Sequence, residues 1–305
     1  MASANGSTTA LVTGATGFVG SRLAAQLARS GAQVRCLVRD RGRAGQLAAI
    51  GAELHEGDML DPASLRGAGR GVDVAYYLVH SMGRGGDADF EERERRSASA
   101  FAAMARAEGV GRVVYLGGLG DDPESRHLKS RQETARVLAE EGPPLTYFRA
   151  GMVVGAGSES YRTLRALVAR LPVMVAPAWL STPTQPIAVE DVVAYLAAAP
   201  HVPSSAGREV QIGGPDVLAY ADMLDRMAIA LGKRPRPKLR VPLLSPRLSS
   251  LWIGLVTPVD VGVARPLIEG LRTETVVTDA SAAKEFDVVP MPFDEALRRA
   301  VKEEQ

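Results

Sequence analysis

Short apolar runs and longer amphipathic stretches alternate along the first half of the chain. Ala10 to Thr13, Gln33 to Val38, Ala52 to His55, Val72 to Val79, Arg112 to Leu116 and Leu145 to Arg149 are brief and read as strands, the first as a buried one and the fourth as strongly apolar. Amphipathic stretches between them predict helices, among them one ending at Arg29, one over Phe90 to Glu108 and one over Arg126 to Glu141. Gly109 ends the second of these, and Gly142-Pro143-Pro144 ends the third. This alternation predicts an α/β fold with a doubly wound parallel sheet. Beyond Gly157 the rhythm loosens. Tyr161 to Ala169 reads as helix and Leu171 to Thr184 as proline-rich and irregular. Pro186 to Val189, the helix Glu190 to Ala199 and an edge strand Glu209 to Ile212 read as a return to the core. Helices then dominate, at Ala219 to Leu231, Pro246 to Val256, Pro266 to Leu271 and Pro292 to Val301. The expected division is a core over 1–157, rejoined by 184–214, and a smaller, mainly helical substrate lobe over 158–183 and 215–305.

The first strand runs into Gly14-Ala15-Thr16-Gly17-Phe18-Val19-Gly20, a GxxGxxG turn that opens a helix. Gly14 can take a positive φ. Gly17 lets a pyrophosphate approach the backbone, and Gly20 lets the helix pack closely on the strand. The N–H groups and positive dipole end of that helix then face the phosphates, so a dinucleotide is the expected ligand. The second strand ends in Arg39-Asp40-Arg41 with Arg43 behind. An acidic side chain there suits a ribose 2′-OH and a basic one a 2′-phosphate. Asp40 points to NAD(H), but Arg39 and Arg43 favour NADP(H); a solvated basic turn is the plain alternative. Past the third strand, Asp58 and Met59 suit the amino edge and face of an adenine, and Asp61-Pro62 reads as a helix N-cap. Val79, His80, Ser81 and Met82 fall at the carboxyl end of the fourth strand, the rim where open α/β sheets bind ligands.

Composition narrows the class. The chain has 305 residues, 46% of them hydrophobic, with a net charge of +1, so it can bury a sizeable core and offers no bulk attraction to nucleic acid or anionic membrane. Cys36 is the single cysteine, which fits a reducing, cytoplasmic setting. Met1 to Ser7 lacks the basic and apolar pattern of a leader, and Leu248 to Ala264 is broken by Pro258 and Asp260, short of the roughly eighteen residues of a membrane span. His55, His80, His127 and His201 are scattered, so no metal site is expected. Glu91 to Arg96 reads as a solvated helix face. The basic patch Lys233, Arg234, Arg236, Lys238 and Arg240 reads as surface or as a site for an acidic partner. The Trp252 stripe reads as lobe core or a subunit interface. A small-molecule substrate is expected, with a homo-oligomer or protein partner left open.

Several segments carry a family resemblance. Thr13 to Gly20, Gly57-Asp58-Met59, Val113-Val114-Tyr115-Leu116-Gly117-Gly118 and Arg149-Ala150-Gly151-Met152 resemble the short-chain dehydrogenase/reductase superfamily, and more narrowly its atypical, NmrA-like branch. Ile187-Ala188-Val189-Glu190-Asp191-Val192 and Ile212-Gly213-Gly214-Pro215 are similar to later segments of extended members. The resemblance implies a Rossmann sheet, an NAD(P) cofactor and a catalytic set of a serine after strand five with YxxxK on the next helix. Here Gly117 and Gly118 stand in the serine's place, and His127-Leu128-Lys129-Ser130-Arg131 puts histidine for tyrosine and arginine for lysine.

Hydride reduction of a carbonyl needs a proton for the developing alkoxide, or another way to stabilise it. Arg131 can hold ribose hydroxyls and supply positive charge but does not exchange protons. His127, with an ordinary pKa of roughly 6.5, does; the alternative is an exposed histidine without a role. His80 is a second candidate, and with Met82 and Met152 it marks the expected substrate end. Tyr76, Tyr77 and Tyr115 read as core, and Arg149 as a sheet-edge cap or a carboxylate partner. The expected activity is NAD(P)H-dependent reduction of an activated substrate, such as an enone, iminium, quinone or polarised ketone. The alternatives are a non-catalytic NADP(H)-binding sensor or partner-binding protein, and an enzyme using the fold for a redox-neutral step.

Overall fold

The computed structural model describes residues 8–79, 87–120, 126–171, 173–176, 178–240 and 273–305. His80, Ser81, Met82, Trp252 and the helices expected at 246–256 and 266–271 lie outside them, as does the side chain of His127. The first half of the chain runs β1 (Thr9–Val12), α1 (Phe18–Arg29), β2 (Gln33–Val38), α2 (Gly45–Ala49), β3 (Glu53–Glu56), β4 (Val74–Tyr77), α3 (Asp87–Ala107), β5 (Arg112–Gly118), α4 (Arg126–Glu141) and β6 (Leu145–Ala150). It continues as β7 (Val153–Val154), α5 (Glu159–Arg170), β8 (Met174–Ala176), β9 (Pro183–Thr184), β10 (Ile187–Ala188), α6 (Val189–Ala198) and β11 (Arg208–Ile212). The last described elements are β12 (Leu218–Ala219), α7 (Tyr220–Ala230), β13 (Lys238–Arg240) and α8 (Phe293–Glu303).

Seven strands pair in the order β11-β6-β5-β4-β1-β2-β3, and every pairing is parallel. The chain winds outward from β1 to β3, then returns to place β4 on the other side of β1. That reversal opens a crevice at the carboxyl ends of β1 and β4, where such sheets hold ligands.

Strand alternation sends neighbours to opposite faces. Tyr76 joins Ala10 and Val12 under α1 and α6, while Tyr77 joins Leu11, Phe101 and Tyr147 under α3 and α4. All residues of β4 and β6 are buried, which explains the unbroken apolar run of β4; in β6 Thr146 and Arg149 are buried with hydrogen-bond partners. In α1 the buried positions are Gly20, Leu23, Ala24 and Leu27, one stripe at helical spacing.

A third apolar cluster is built from α5, α7 and α8, with Tyr161, Leu167, Met223, Met227, Phe293 and Leu297 inside. Two carboxylates fix the entry to α8: Asp191 accepts from the Met291 N–H at 2.9 Å and Asp216 from the Phe293 N–H at 2.8 Å. Its far end is tied to α1 by Arg22–Glu303 at 2.6 Å.

Several expectations need correction. Residues 171–184 contain β8 and β9, which pair with β13 and β12. The stretch Lys233 to Arg240 is therefore not all surface patch: its end is a strand, and Lys238 pairs with Asp225. Helix α3 starts at Asp87, before the expected start at Phe90. Strand β5 runs on through Gly117 and Gly118, because both pair with β6. Within Glu91 to Arg96, Glu94 is buried at 5% exposure, so that run is not a wholly solvated face. Among the described residues, no helix is long and apolar enough to cross a membrane.

Candidate nucleotide site

At the end of β1, Thr13 is wholly buried and stitches the crevice floor. Its N–H and its hydroxyl both donate to the Tyr76 carbonyl at 3.0 Å, and its hydroxyl oxygen accepts from the Leu78 N–H at 3.1 Å. Gly14 follows with φ of +63°, and a Cβ there would stand 2.4 Å from the Leu78 carbonyl oxygen. No other residue type fits that turn without moving the end of β4. Gly20 is as constrained, since a Cβ would come within 2.2 Å of the Gly14 carbonyl oxygen. The close approach is thus of helix to turn, not of helix to strand as expected.

Gly17 differs from both. Its φ is ordinary, it is exposed, and a Cβ would meet only the Gly14 carbonyl oxygen, at 3.0 Å. It is the N-cap of α1, and no side chain caps the helix. The first-turn N–H groups of a helix have no intrahelical partners. Those of Phe18, Val19 and Gly20, with exposed Thr16 beside them, therefore face the crevice as donors for an anion. The Phe18 ring is turned away, against Gly155 and under the Arg22 guanidinium at 4.6 Å, so Phe18 offers the site its backbone alone.

The β1–β2 register sets Val12 against Cys36, which puts Arg39 one residue past the level of Gly14. Asp40 is occupied by its own turn, accepting from the Gly42 N–H at 2.8 Å. Arg41 reaches back to the Leu54 carbonyl at 3.0 Å and towards Glu56. Arg39 and Arg43 are both exposed at this edge. Asp58 is exposed and accepts from the Leu60 N–H, whereas Met59 is 6% exposed and packs with Leu37, Leu65 and Tyr77. Asp61 caps a short 3-10 turn by accepting from the Ala63 N–H.

At the other end of the crevice, half-buried Val79 follows β4, and its N–H would lie 3.1 Å from a Cβ on Gly14. His127 stands in the first turn of α4, one turn before Arg131. The Arg131 guanidinium donates to the Leu116 carbonyl at 3.1 Å, and its δ-carbon lies 3.7 Å from where a Cβ on Gly118 would be. On Gly117 a Cβ would fall 2.7 Å from the Tyr147 ring, so a serine there would displace a buried tyrosine. Met152 is half-buried against the third apolar cluster.

Two features of this end were missed in the sequence. Glu94 is buried beside Tyr77 and Tyr115; burial raises both phenol pKa values and the nearby carboxylate adds to the shift, while Arg131 opposes it at Tyr115. Its position seven residues before buried Phe101, with buried Ser97 and Ala98 between, was the available signal. The second is the return of Thr273 and Thr275 to Gly120, 3.0 and 3.4 Å from its Cβ position, with Thr275 also bonded to Thr184 at 2.6 Å. Gly120 and Thr273 stand 153 positions apart in the chain, and Thr184 and Thr275 stand 91 apart, so nothing local signals the approach.

Comparison with known proteins agrees with this geometry. Residues 14–163 match the family described as NAD(P)H-binding. The chain is 28% identical to the (4-alkanoyl-5-oxo-2,5-dihydrofuran-3-yl)methyl phosphate reductase of Streptomyces griseus, over 73% of this chain and 74% of that protein. It is 26% identical to the mitochondrial NADH dehydrogenase [ubiquinone] 1 alpha subcomplex subunit 9 of Arabidopsis thaliana, over 92% of this chain and 74% of that one. The fold is similar to that of an NADPH-dependent quinone oxidoreductase from Escherichia coli complexed with NADPH, with a TM-score of 0.74, 21% identity and coverage of 95% and 98%.

Proposed function

We propose, from the premise that residues 14–163 form an NAD(P)H-binding domain with atypical, NmrA-like short-chain dehydrogenase/reductase neighbours, that this chain is an NADPH-dependent reductase of an activated small molecule. The observation that carries the reading is the uncapped start of α1, held against the Gly14 turn so closely that neither Gly14 nor Gly20 has room for a Cβ beside the backbone. Gly14 to Gly20 would hold the diphosphate, Arg39 and Arg43 a 2′-phosphate, Asp58 the adenine edge, and Val79 and Arg131 the nicotinamide ribose end. Met59, being buried, would serve there only as the floor behind the adenine. When bound, the reduced cofactor supplies a hydride.

No hydroxyl side chain stands at 117 or 118, and Arg131 offers this end hydrogen-bond donors and positive charge. Such a site suits substrates whose own electron-poor carbon accepts hydride readily, such as a quinone, enone, iminium or polarised ketone. His127 or His80 would supply the proton, and His80, Met82 and Met152 would line the substrate end, roofed by the C-terminal lobe. The names of the S. griseus and E. coli proteins agree with this class.

The test is NADPH oxidation by the purified chain with a panel of quinones, enones and simple dialkyl ketones. Turnover confined to the activated substrates is the expected result. Tight NADPH binding without turnover on any of them would favour a second reading, a non-catalytic nucleotide-binding protein. The similarity to a subunit of a larger assembly is the observation on that side.

A further inference from the structure

Arg149 is a buried cation at the substrate end that cofactor binding does not use. It is 6% exposed, and a buried charge is tolerated only when its donors are satisfied. Its Nε donates to the Gly118 carbonyl at 3.2 Å, one Nη to the Gly120 carbonyl at 2.9 Å, and the other Nη to the Glu209 carboxylate at 2.9 Å. Glu209 sits on the edge strand β11, opposite Tyr147 and diagonal to Arg149. The planar fork of a guanidinium meets two carbonyls and a carboxylate at once; a lysine ammonium does not.

The Gly118 carbonyl ends β5 and the Gly120 carbonyl belongs to the loop that leaves it, next to the positions where the resembled family carries its serine. That loop is held from several sides. The Tyr147 ring lies under Gly117, the Leu119 N–H donates to the Ala150 carbonyl at 2.8 Å, and Gly120 takes a φ of +103° between Leu128 and the methyls of Thr273 and Thr275. Arg149 is the one ionic group among these restraints, and it acts from below.

We infer that Arg149 is a positioning residue for hydride transfer. With Glu209 as its counter-charge, it turns the carbonyls of Gly118 and Gly120 towards the sheet and fixes the β5 loop as a rigid backbone wall at the nicotinamide end of the crevice. This rests on the reductase reading given above. The loop takes the place of a hydroxyl-bearing side chain by geometry: the substrate is held against backbone that does not move.

Arg149→Lys keeps the charge and loses the fork, and it avoids the uncompensated Glu209 that Arg149→Met would leave. The measurements are amide hydrogen exchange at Leu119 and Gly120, NADPH affinity, kcat and KM for a quinone, and nicotinamide fluorescence of bound NADPH. The expected result is exchange faster by about tenfold, the loss of one hydrogen bond to a charged donor, with kcat down by a similar factor and NADPH affinity unchanged. Unchanged exchange at the loop overturns the inference, and so does a loosened loop with wild-type kcat. A merely structural role would lower affinity and turnover together with the folded fraction. If the wild type turns over no substrate, the reductase reading fails, and fluorescence decides the role of Arg149. A changed nicotinamide emission in Arg149→Lys keeps it as an organiser of that end, and an unchanged one removes it.

Discussion

Four neighbouring side chains at the end of β2 divide the work there. Asp40 is spent on the Gly42 N–H and Arg41 on the Leu54 carbonyl and Glu56, so neither is placed to read a ribose. Arg39 and Arg43 remain exposed at the level of the Gly14 turn. Arg39→Ala is expected to weaken NADPH by about 1.5–3 kcal/mol, a charge-assisted hydrogen bond, and to leave NADH nearly untouched. Parallel titrations with the two nucleotides check this, and equal losses would remove Arg39 as the selector. The alternation that put Arg39 at the strand tip was legible in the sequence. The capping role of Asp40 was not, because its acceptor was weighed against a ribose and not against the backbone two residues on. Cys36 shows the same scale of reasoning working: its place in an apolar strand implied burial, and burial pushes the thiol up to about 12, which keeps it protonated and inert.

Long elements were readable because each carries its own periodicity. The inward stripe of α1 and the apolar run of β4 are local signals. Strands β8, β9, β12 and β13 are two or three residues long and exist only through partners far along the chain, so no window of sequence shows them. The tether between α6 and α8 belongs with these. Asp191 is buried while accepting from the Met291 N–H, and burial raises its pKa above the ordinary 3.8, with Glu190 adding to the shift. The folded state therefore keeps the proton after the unfolded chain has released it. The stability this contributes is complete below about pH 4 and is lost as pH rises through the folded value. Asp191→Asn retains an acceptor for Met291 and removes that loss. Urea midpoints measured from pH 4 to pH 7 are expected to fall for the wild type relative to the variant; curves that run parallel would contradict it.

At the scale of the whole molecule, the winding of the sheet puts the phosphate turn, the β2 tip and the β5 loop along one carboxyl rim. Alternation of strands and helices was enough to anticipate that rim. It was not enough to anticipate what roofs the far end, where Thr184, Gln185, Thr273 and Thr275 meet by long-range return of the chain. The central claim is that the start of α1 grips a diphosphate with main-chain donors. Calorimetric titration of NADPH into the wild type and into Gly17→Asp tests it most directly. Position 17 has ordinary backbone angles, a Cβ there touches only the Gly14 carbonyl oxygen, at 3.0 Å, and aspartate is a favoured N-cap, so the variant is expected to fold while its own carboxylate takes the donors meant for the phosphates. Saturable heat from the wild type and none from the folded variant is the predicted result. Equal binding by both, or no heat from the wild type, would contradict it.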